Sequence, residues 1–121
     1  MSVLVAVPDT KEGRYALVAA ADEAQLLATE LLVLNLSTTD VDLSELPSDL
    51  SCEVISRLGP GDRDPAEAVL DEIAHRPEIS RLVIGVRKRS PVGKALLGSL
   101  SQRLLLDCPV PVLAVKVPTP V

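Results

Sequence analysis

Residues 82–99 read Leu-Val-Ile-Gly-Val-Arg-Lys-Arg-Ser-Pro-Val-Gly-Lys-Ala-Leu-Leu-Gly-Ser: an apolar run, a basic loop and the start of a second apolar segment. The first run contains Gly85, and Gly98-Ser99 leads into a leucine-rich stretch. We interpret this order as strand, loop and helix. Positive side chains, backbone N–H groups and the positive end of a helix then converge on one point. The stretch therefore predicts a cradle for an anion such as a phosphate.

Four other segments of the chain have the pattern of β-strands. Three are largely apolar throughout, as is typical of strands covered on both faces: residues 3–7, 31–36 and 112–117. Residues 51–58 instead alternate approximately between apolar and polar side chains. That alternation predicts a strand exposed on one face at the edge of a sheet. With residues 82–86, the sequence predicts five strands.

Helical patterns separate most of these strands. Apolar residues recur at spacings of three and four, the pattern of a helical stripe, over three segments: 17–31, 66–74 and 97–105. Asp9 or Thr10 can cap the first helix, and Asp62 or Asp64 can cap the second. Residues 37–49 are polar and acidic, so we predict a loop there with at most a short helical turn.

The order of these elements predicts the fold class. The connections are too long for hairpins, so the strands pair in parallel. Right-handed crossovers then give an open, doubly wound sheet. We therefore predict a single α/β domain over residues 1–121, with a five-stranded parallel sheet of order 3-2-1-4-5 and helices on both faces.

Composition excludes several classes of function. The formal net charge is −5 and no basic face appears outside residues 87–94, which disfavours nucleic-acid binding. The N-terminus lacks a basic signal region, and no apolar run approaches the roughly 20 residues that cross a bilayer. Cys52 and Cys108 lie outside any CxxC pair. We expect reduced thiols in a cytoplasmic protein, with a structural disulfide as the minor alternative.

Catalytic groups cannot be assembled from the sequence. The one histidine, His75, falls late in a predicted surface helix. We find no nucleophile paired with a base, no Cys-His arrangement and no cluster with the spacing of metal ligands. The sequence therefore favours a protein that is not an enzyme.

The predicted topology also positions a ligand crevice. In doubly wound sheets, ligands bind beyond the carboxyl ends of the strands, where the winding direction reverses. For the order 3-2-1-4-5, that point lies between the first and fourth strands, which end in Pro8-Asp9-Thr10 and Gly85-Val86-Arg87-Lys88. The basic loop therefore falls where a ligand is expected. The alternatives are that its charges only contact solvent and that Asp9 only caps a helix.

The last strand, residues 112–117, is an edge strand in this order although it is largely apolar on both faces. An uncovered apolar edge invites uncontrolled pairing. The simplest solution is a homodimer in which a second copy pairs through the same strand about a two-fold axis. The alternative is that neighbouring helices and the proline-rich tail cover it.

The chain resembles the universal stress protein family in its compact single-domain form, over essentially its whole length. The resemblance rests on Val-Leu-Val-Ala-Val-Pro-Asp-Thr at 3–10, on Gly85 and Gly98-Ser99 with the following Leu-Ser-Gln-Arg-Leu-Leu-Leu, and on Cys-Pro-Val-Pro-Val-Leu-Ala-Val-Lys at 108–116. It implies the five-stranded fold, a dimer through the last strand and, in one branch of the family, ATP or another adenine nucleotide at the crevice.

The nucleotide-binding branch is similar to Gly-x2-Gly-x9-Gly-Ser/Thr. Gly85, Gly98 and Ser99 match this pattern, whereas Lys88 stands at the second glycine. Glycine there lets the backbone approach the phosphates, so the lysine either blocks that approach or replaces backbone donors with a charge. The acid that the family has directly after the first strand falls nearer Pro8, with Asp9 displaced by one position.

These observations predict a cytoplasmic, non-enzymatic stress-response or regulatory domain that binds ATP or another adenine nucleotide as a homodimer. Arg87, Lys88 and Lys94 would supply positive charge to the phosphates. Gly98 would let the backbone approach them closely, and Ser99 and Ser101 would supply hydroxyl and N–H donors. The candidate binding residues are Pro8, Asp9, Thr10, Gly85, Arg87, Lys88, Gly98, Ser99 and Ser101. The main alternative is a nucleotide-free homodimeric protein-interaction module, whose basic loop docks an acidic partner. Slow ATP hydrolysis is a third hypothesis, and no general base supports it.

Overall fold

A computed structural model describes residues 1–56, 64–87 and 98–117. Strands and helices alternate along the chain in this order: β1 (Ser2–Val7), α1 (Lys11–Leu26), β2 (Glu30–Asn35), β3 (Cys52–Ser56), α2 (Pro65–His75), β4 (Ile79–Arg87), α3 (Ser99–Asp107) and β5 (Val112–Val117). The strands form one five-stranded sheet of order β3-β2-β1-β4-β5, and all neighbours pair in parallel. The predicted fold class is confirmed.

The sheet is covered on both faces, as the apolar runs predict. Every residue of β1 is buried, and successive side chains point to opposite faces because a strand has a period of two. Val3 and Val5 pack with α1 and with apolar residues of the 41–50 loop. Leu4 and Ala6 pack with residues of α2 and α3. The connections between β1 and β3 therefore cross one face of the sheet, and the connections between β3 and β5 cross the other face.

The start of α1 lies close to the end of β1. Thr10 is the N-cap, and its hydroxyl oxygen accepts a hydrogen bond from the Gly13 N–H at 3.1 Å. A Cβ on residue 13 would lie 2.2 Å from the carbonyl oxygen of Pro8, so only glycine fits this approach. The first turn of α1 is therefore held against the carboxyl edge of the sheet.

The end of α1 differs from the prediction. The helix stops at Leu26, and Leu31 belongs to β2. The stripe predicted over 17–31 therefore merged the end of a helix with the start of a strand. Ala28 follows the helix with a positive φ of 53°. The Thr29 N–H donates to the Ala24 carbonyl at 2.9 Å, which closes the helix in a Schellman motif.

The second crossover and the second helix agree with the sequence patterns. Between β2 and β3, the Leu46 N–H donates to the Leu43 carbonyl at 3.0 Å, which forms the short turn that the pattern allowed. Asp64 caps α2 by accepting from the Glu67 N–H at 3.3 Å. Asp62, the alternative cap, lies outside the described residues. Across the described parts of the chain, no helix has the length and hydropathy that crossing a membrane requires.

Candidate functional site

A cavity of about 350 Å³ lies at the carboxyl ends of β1 and β4, where the sheet reverses its winding direction. Apolar side chains from both strands and from α3 form part of its lining, and polar groups come from α1, β4 and α3. The lining residues are Ala6, Pro8, Thr10, Glu12, Ile84, Gly85, Arg87, Gly98, Leu100, Ser101 and Leu104. The cavity therefore lies at the position where this topology favours ligand binding.

Gly85 lets α1 approach the end of β4. A Cβ on residue 85 would lie 2.1 Å from the carbonyl oxygen of Glu12 and 2.7 Å from its carbonyl carbon. The space that a side chain would need is thus filled by the main chain of α1. The sequence singled out Gly85 as a ligand contact, and the structure adds a packing reason for glycine at this position.

Arg87, the last residue of β4, forms an ion pair with Glu12, which also lines the cavity. Its Nε lies 2.6 Å from Glu12 Oε1, and the two side chains are 48% and 21% exposed. Glu12 also lies in the first turn of α1, where the helix dipole favours a negative charge. The positive charge that the sequence assigned to a ligand is therefore already balanced in part by a residue of this chain.

The N-terminus of α3 offers hydrogen-bond donors to the same cavity. Its N-cap is Gly98, and no side chain caps the helix there. The first N–H groups of a helix have no partner within the helix and favour an anion. A Cβ on Gly98 would meet no atom within 4 Å, so the position borders open space. Ser101, one turn further, also lines the cavity.

Asp9 lies in a second, smaller cavity of about 180 Å³, which shares Pro8 and Thr10 with the first. The residues of the turn after β2 form much of its wall, together with Arg14 of α1. Asn35 holds that turn, since its Nδ2 donates to the Thr39 carbonyl at 2.8 Å. The second cavity is rich in carboxylates: Asp9, Asp40, Asp42 and Glu45.

Ser44 donates hydrogen bonds to one of these carboxylates. A side-chain hydrogen bond from Ser44, supported by its backbone N–H, lowers the pKa of Asp42 below the usual range. With Arg14 as the one basic side chain that lines this cavity among the described residues, its net charge is negative. A neutral, hydrogen-bonding group suits the second cavity better than a phosphate does.

Six of the nine residues predicted from the sequence line the first cavity together: Pro8, Thr10, Gly85, Arg87, Gly98 and Ser101. Asp9 faces the second cavity, and Ser99 is an exposed residue at the start of α3 that lines neither. Lys88 and Lys94 fall outside the described residues. Sequence reasoning missed Glu12, although an acid in the first turn after β1 must lie at the same edge of the sheet.

The described residues offer no metal-binding cluster at this site. They include no group of three or more His, Cys, Asp or Glu side chains arranged to hold a metal ion. Cys52 and Cys108 are half-buried free thiols on β3 and after α3, and neither lines a cavity described above. Burial raises the pKa of both thiols, which disfavours the reactive thiolate.

Comparison with known proteins gives a consistent result. The sequence profile of the universal stress protein family matches residues 53–116. A universal stress protein from Mycolicibacterium smegmatis is 41% identical over 116 aligned positions, which cover 86% of this chain and 88% of that protein.

Solved structures share the fold. A universal stress protein from Archaeoglobus fulgidus superposes with a TM-score of 0.73 at 27% identity, covering 96% of this chain and 98% of the other. A second structure, of the universal stress protein from Archaeoglobus fulgidus in complex with dAMP, superposes with a TM-score of 0.65 at 22% identity, with coverages of 96% and 98%. The profile match and the mycobacterial relative show that this chain belongs to the universal stress protein family.

Proposed function

We propose that this chain is a non-catalytic regulatory domain that binds an adenine nucleotide in the 350 Å³ cavity between β1 and β4. The observation that carries the proposal is the position of that cavity. It lies at the switch point of the sheet and borders the N-terminus of α3, whose cap is a glycine without a side-chain bond. A phosphate fits this combination of open space and unpaired N–H donors.

The two adjoining cavities suggest how a nucleotide lies. Its phosphate sits against Gly98 and Ser101, where the lining supplies N–H and hydroxyl donors. The ribose or base extends past Pro8 and Thr10, which line both cavities, toward Asp9. Asp9 accepts a hydrogen bond there from a sugar hydroxyl or a base amine. The archaeal relative of the same fold that was solved with dAMP supports an adenine nucleotide as the ligand.

The remaining parts of the proposal follow from the sequence. Arg87 and Lys88 supply positive charge to the phosphates, with Ser99 as a further donor at the start of α3. We further propose that the chain acts as a single domain in the cytoplasm and dimerises through β5. Five of the six residues of β5 are at least partly exposed, and Leu113 is 39% exposed. This exposure supports pairing with a second copy.

Calorimetric titration of ATP, ADP, AMP and cyclic AMP into the purified protein tests the nucleotide. We expect saturable binding that Gly98→Val weakens at least about tenfold, since the new side chain enters the space assigned to the phosphate. The fold tolerates the change, because residue 98 has a φ of −62° and no atom near its Cβ position. Gln102→Val is the matched control, on an exposed residue of α3 that does not line the cavity.

The absence of heat and of a thermal shift with every nucleotide at millimolar concentration would overturn the nucleotide proposal. The second candidate, a nucleotide-free homodimeric protein-interaction module, would then remain. The exposed leucines of α3 favour it, since Leu105 and Leu106 are 38% and 76% exposed. Such a module predicts an unchanged dimer in the Gly98→Val variant.

A further inference from the structure

Glu12 occupies one of the donors that Arg87 could offer to a phosphate. The contact joins Arg87 Nε and Glu12 Oε1 at 2.6 Å, and both residues line the cavity that borders the N-terminus of α3. A guanidinium binds phosphate best through two parallel N–H donors. The contact at Nε takes away the donor pair that includes Nε, so a phosphate is left with the two Nη groups and approaches them beside a carboxylate.

The main chain fixes Glu12 in this place. On one side, the carbonyl of Glu12 fills the space left by the missing side chain of Gly85. On the other, the missing side chain of Gly13 makes room for the carbonyl of Pro8, and Thr10 caps the same turn. The first turn of α1 cannot withdraw without losing these contacts. The pair therefore opens by rotation of the two side chains and not by movement of the helix.

The charge of Glu12 acts differently on different ligands. Among the described residues that line the cavity, Arg87 and Glu12 are the charged ones, and their charges cancel. A carboxylate repels each further negative charge that enters a partly buried site, where screening is weaker than in water. The penalty is greatest for a triphosphate, smaller for a monophosphate and absent for a nucleoside.

We propose that Glu12 determines specificity, because it competes with the ligand phosphates for Arg87 and so selects for nucleosides and nucleoside monophosphates over triphosphates. This inference rests on the proposed function and specifies its ligand. The sequence did not single out Glu12. Its proposed effect is on the choice of ligand and is separate from the packing of its main chain at the start of α1.

Calorimetry with adenosine, AMP and ATP on Glu12→Gln tests the inference. Glutamine keeps the length of the side chain and an oxygen for Arg87 but removes the charge. We expect the affinity for ATP to rise about tenfold and that for AMP by less, while the affinity for adenosine changes by less than about twofold. The gain for ATP shrinks as salt is raised, because screening weakens the repulsion.

Glu67→Gln is the matched control. Glu67 also lies in the first turn of a helix, in α2, and its Oε1 lies 3.9 Å from an arginine nitrogen, Nη2 of Arg103. It does not line either cavity. The control removes the same unit of charge and should leave all three affinities unchanged. If Glu67→Gln raises ATP affinity as much as Glu12→Gln does, the effect is one of net charge and the inference is wrong.

Arg87→Gln tests whether Glu12 acts through Arg87. In the Arg87→Gln background, the tenfold gain from Glu12→Gln should fall to about threefold or less, because the contested donor is gone. Equal gains in both backgrounds overturn the competition. If Glu12→Gln lowers the melting temperature into the assay range, Glu12→Asp replaces it. The charge stays but the reach to Arg87 shortens, so ATP affinity should rise by less than the tenfold expected for glutamine.

The results separate the inference from the proposed function. Wild-type protein that binds ATP as tightly as Glu12→Gln does retains the proposed function and overturns the inference. Binding of ATP by Glu12→Gln alone supports the inference and refutes ATP as the ligand of the wild type. If neither protein binds any of the three compounds, both proposals are wrong.

Discussion

Gly85 and Glu12 touch at a point where no other residue fits at position 85: an added Cβ would lie 2.1 Å from the Glu12 carbonyl oxygen. This contact sets the distance between the end of β4 and the first turn of α1. It therefore also sets the ion pair between Arg87 and Glu12, two residues further along β4. A glycine that sequence reasoning assigned to a ligand is thus required first for packing.

We expect Gly85→Ala to destabilise the protein by about 1–3 kcal/mol, since the methyl group overlaps main-chain atoms that cannot rotate away. Urea denaturation measures the change. Gly98→Ala is the control, because its Cβ would meet no atom within 4 Å. Its poorer N-cap is offset by a less flexible unfolded chain, so its stability should stay within about 0.5 kcal/mol of wild type. Equal losses in the two variants would contradict the packing explanation.

At the end of α1, we expect a substitution to raise the stability of the protein. Ala28 has a φ of 53°, in the left-handed region where residues with a Cβ are strained. We expect Ala28→Gly to stabilise the protein by about 0.5–1 kcal/mol, after allowance for the greater freedom of glycine in the unfolded chain. Ala19→Gly, inside the same helix, should instead cost about 1 kcal/mol. A loss of stability in both variants would rule out strain at residue 28.

Burial of the two cysteines predicts a loss of stability in alkali. Burial raises the pKa of Cys52 and Cys108 in the folded protein, so the unfolded chain loses these protons at lower pH. The contribution of the two thiols to stability is therefore complete below the ordinary thiol pKa of about 8.5, and it is lost as the pH rises through the raised values. Urea midpoints at pH 7.5 and 9.5 measure the loss. It should be smaller in a Cys52→Ser, Cys108→Ser double variant. Equal losses would show that other groups cause the alkaline destabilisation.

The inner strands β1 and β2 could be predicted from the sequence because their apolar runs are buried on both faces. The ends of the strands were harder to predict. β4 begins at Ile79, three residues before the predicted start, because Ser80 and Arg81 are polar residues with distant partners. Ser80 donates to the Ser2 carbonyl at 3.2 Å, and Arg81 pairs with Glu23 at 2.7 Å. Periodicity cannot detect a strand residue whose polar group is satisfied by another element.

The end of α1 and the pairing of Glu12 with Arg87 were missed for related reasons. A Schellman motif is normally recognised by glycine, and this one contains Ala28. Strand order located the crevice, since it depends on topology alone. The pairing of Glu12 with Arg87 depends on how closely α1 approaches β4, and that distance is visible only in three dimensions.

The outer edge of β5, the last strand of the sheet, leads to the last prediction, on dimerisation. The Leu82 N–H donates to the Pro111 carbonyl at 2.9 Å, and Leu82 and Ile84 are opposite Val112 and Ala114. Because bonding groups alternate along a parallel ladder, the N–H of Ala114 points away from β4, toward the side where the proposed dimer would place a second copy. Ala114→Pro removes this donor without removing a bond within the sheet, which an edge strand tolerates.

The opposite edge of the sheet supplies a matched control. The Leu31 N–H donates to the Ser51 carbonyl at 2.9 Å, so the N–H of Val54 on β3 also points outward. Ala114→Pro should weaken the dimer at least about tenfold by sedimentation equilibrium, because the lost pairing lies in the proposed interface. Val54→Pro should leave the dimer intact. A wild-type monomer at tens of micromolar would refute the β5 dimer, and equal weakening by both prolines would place the interface elsewhere.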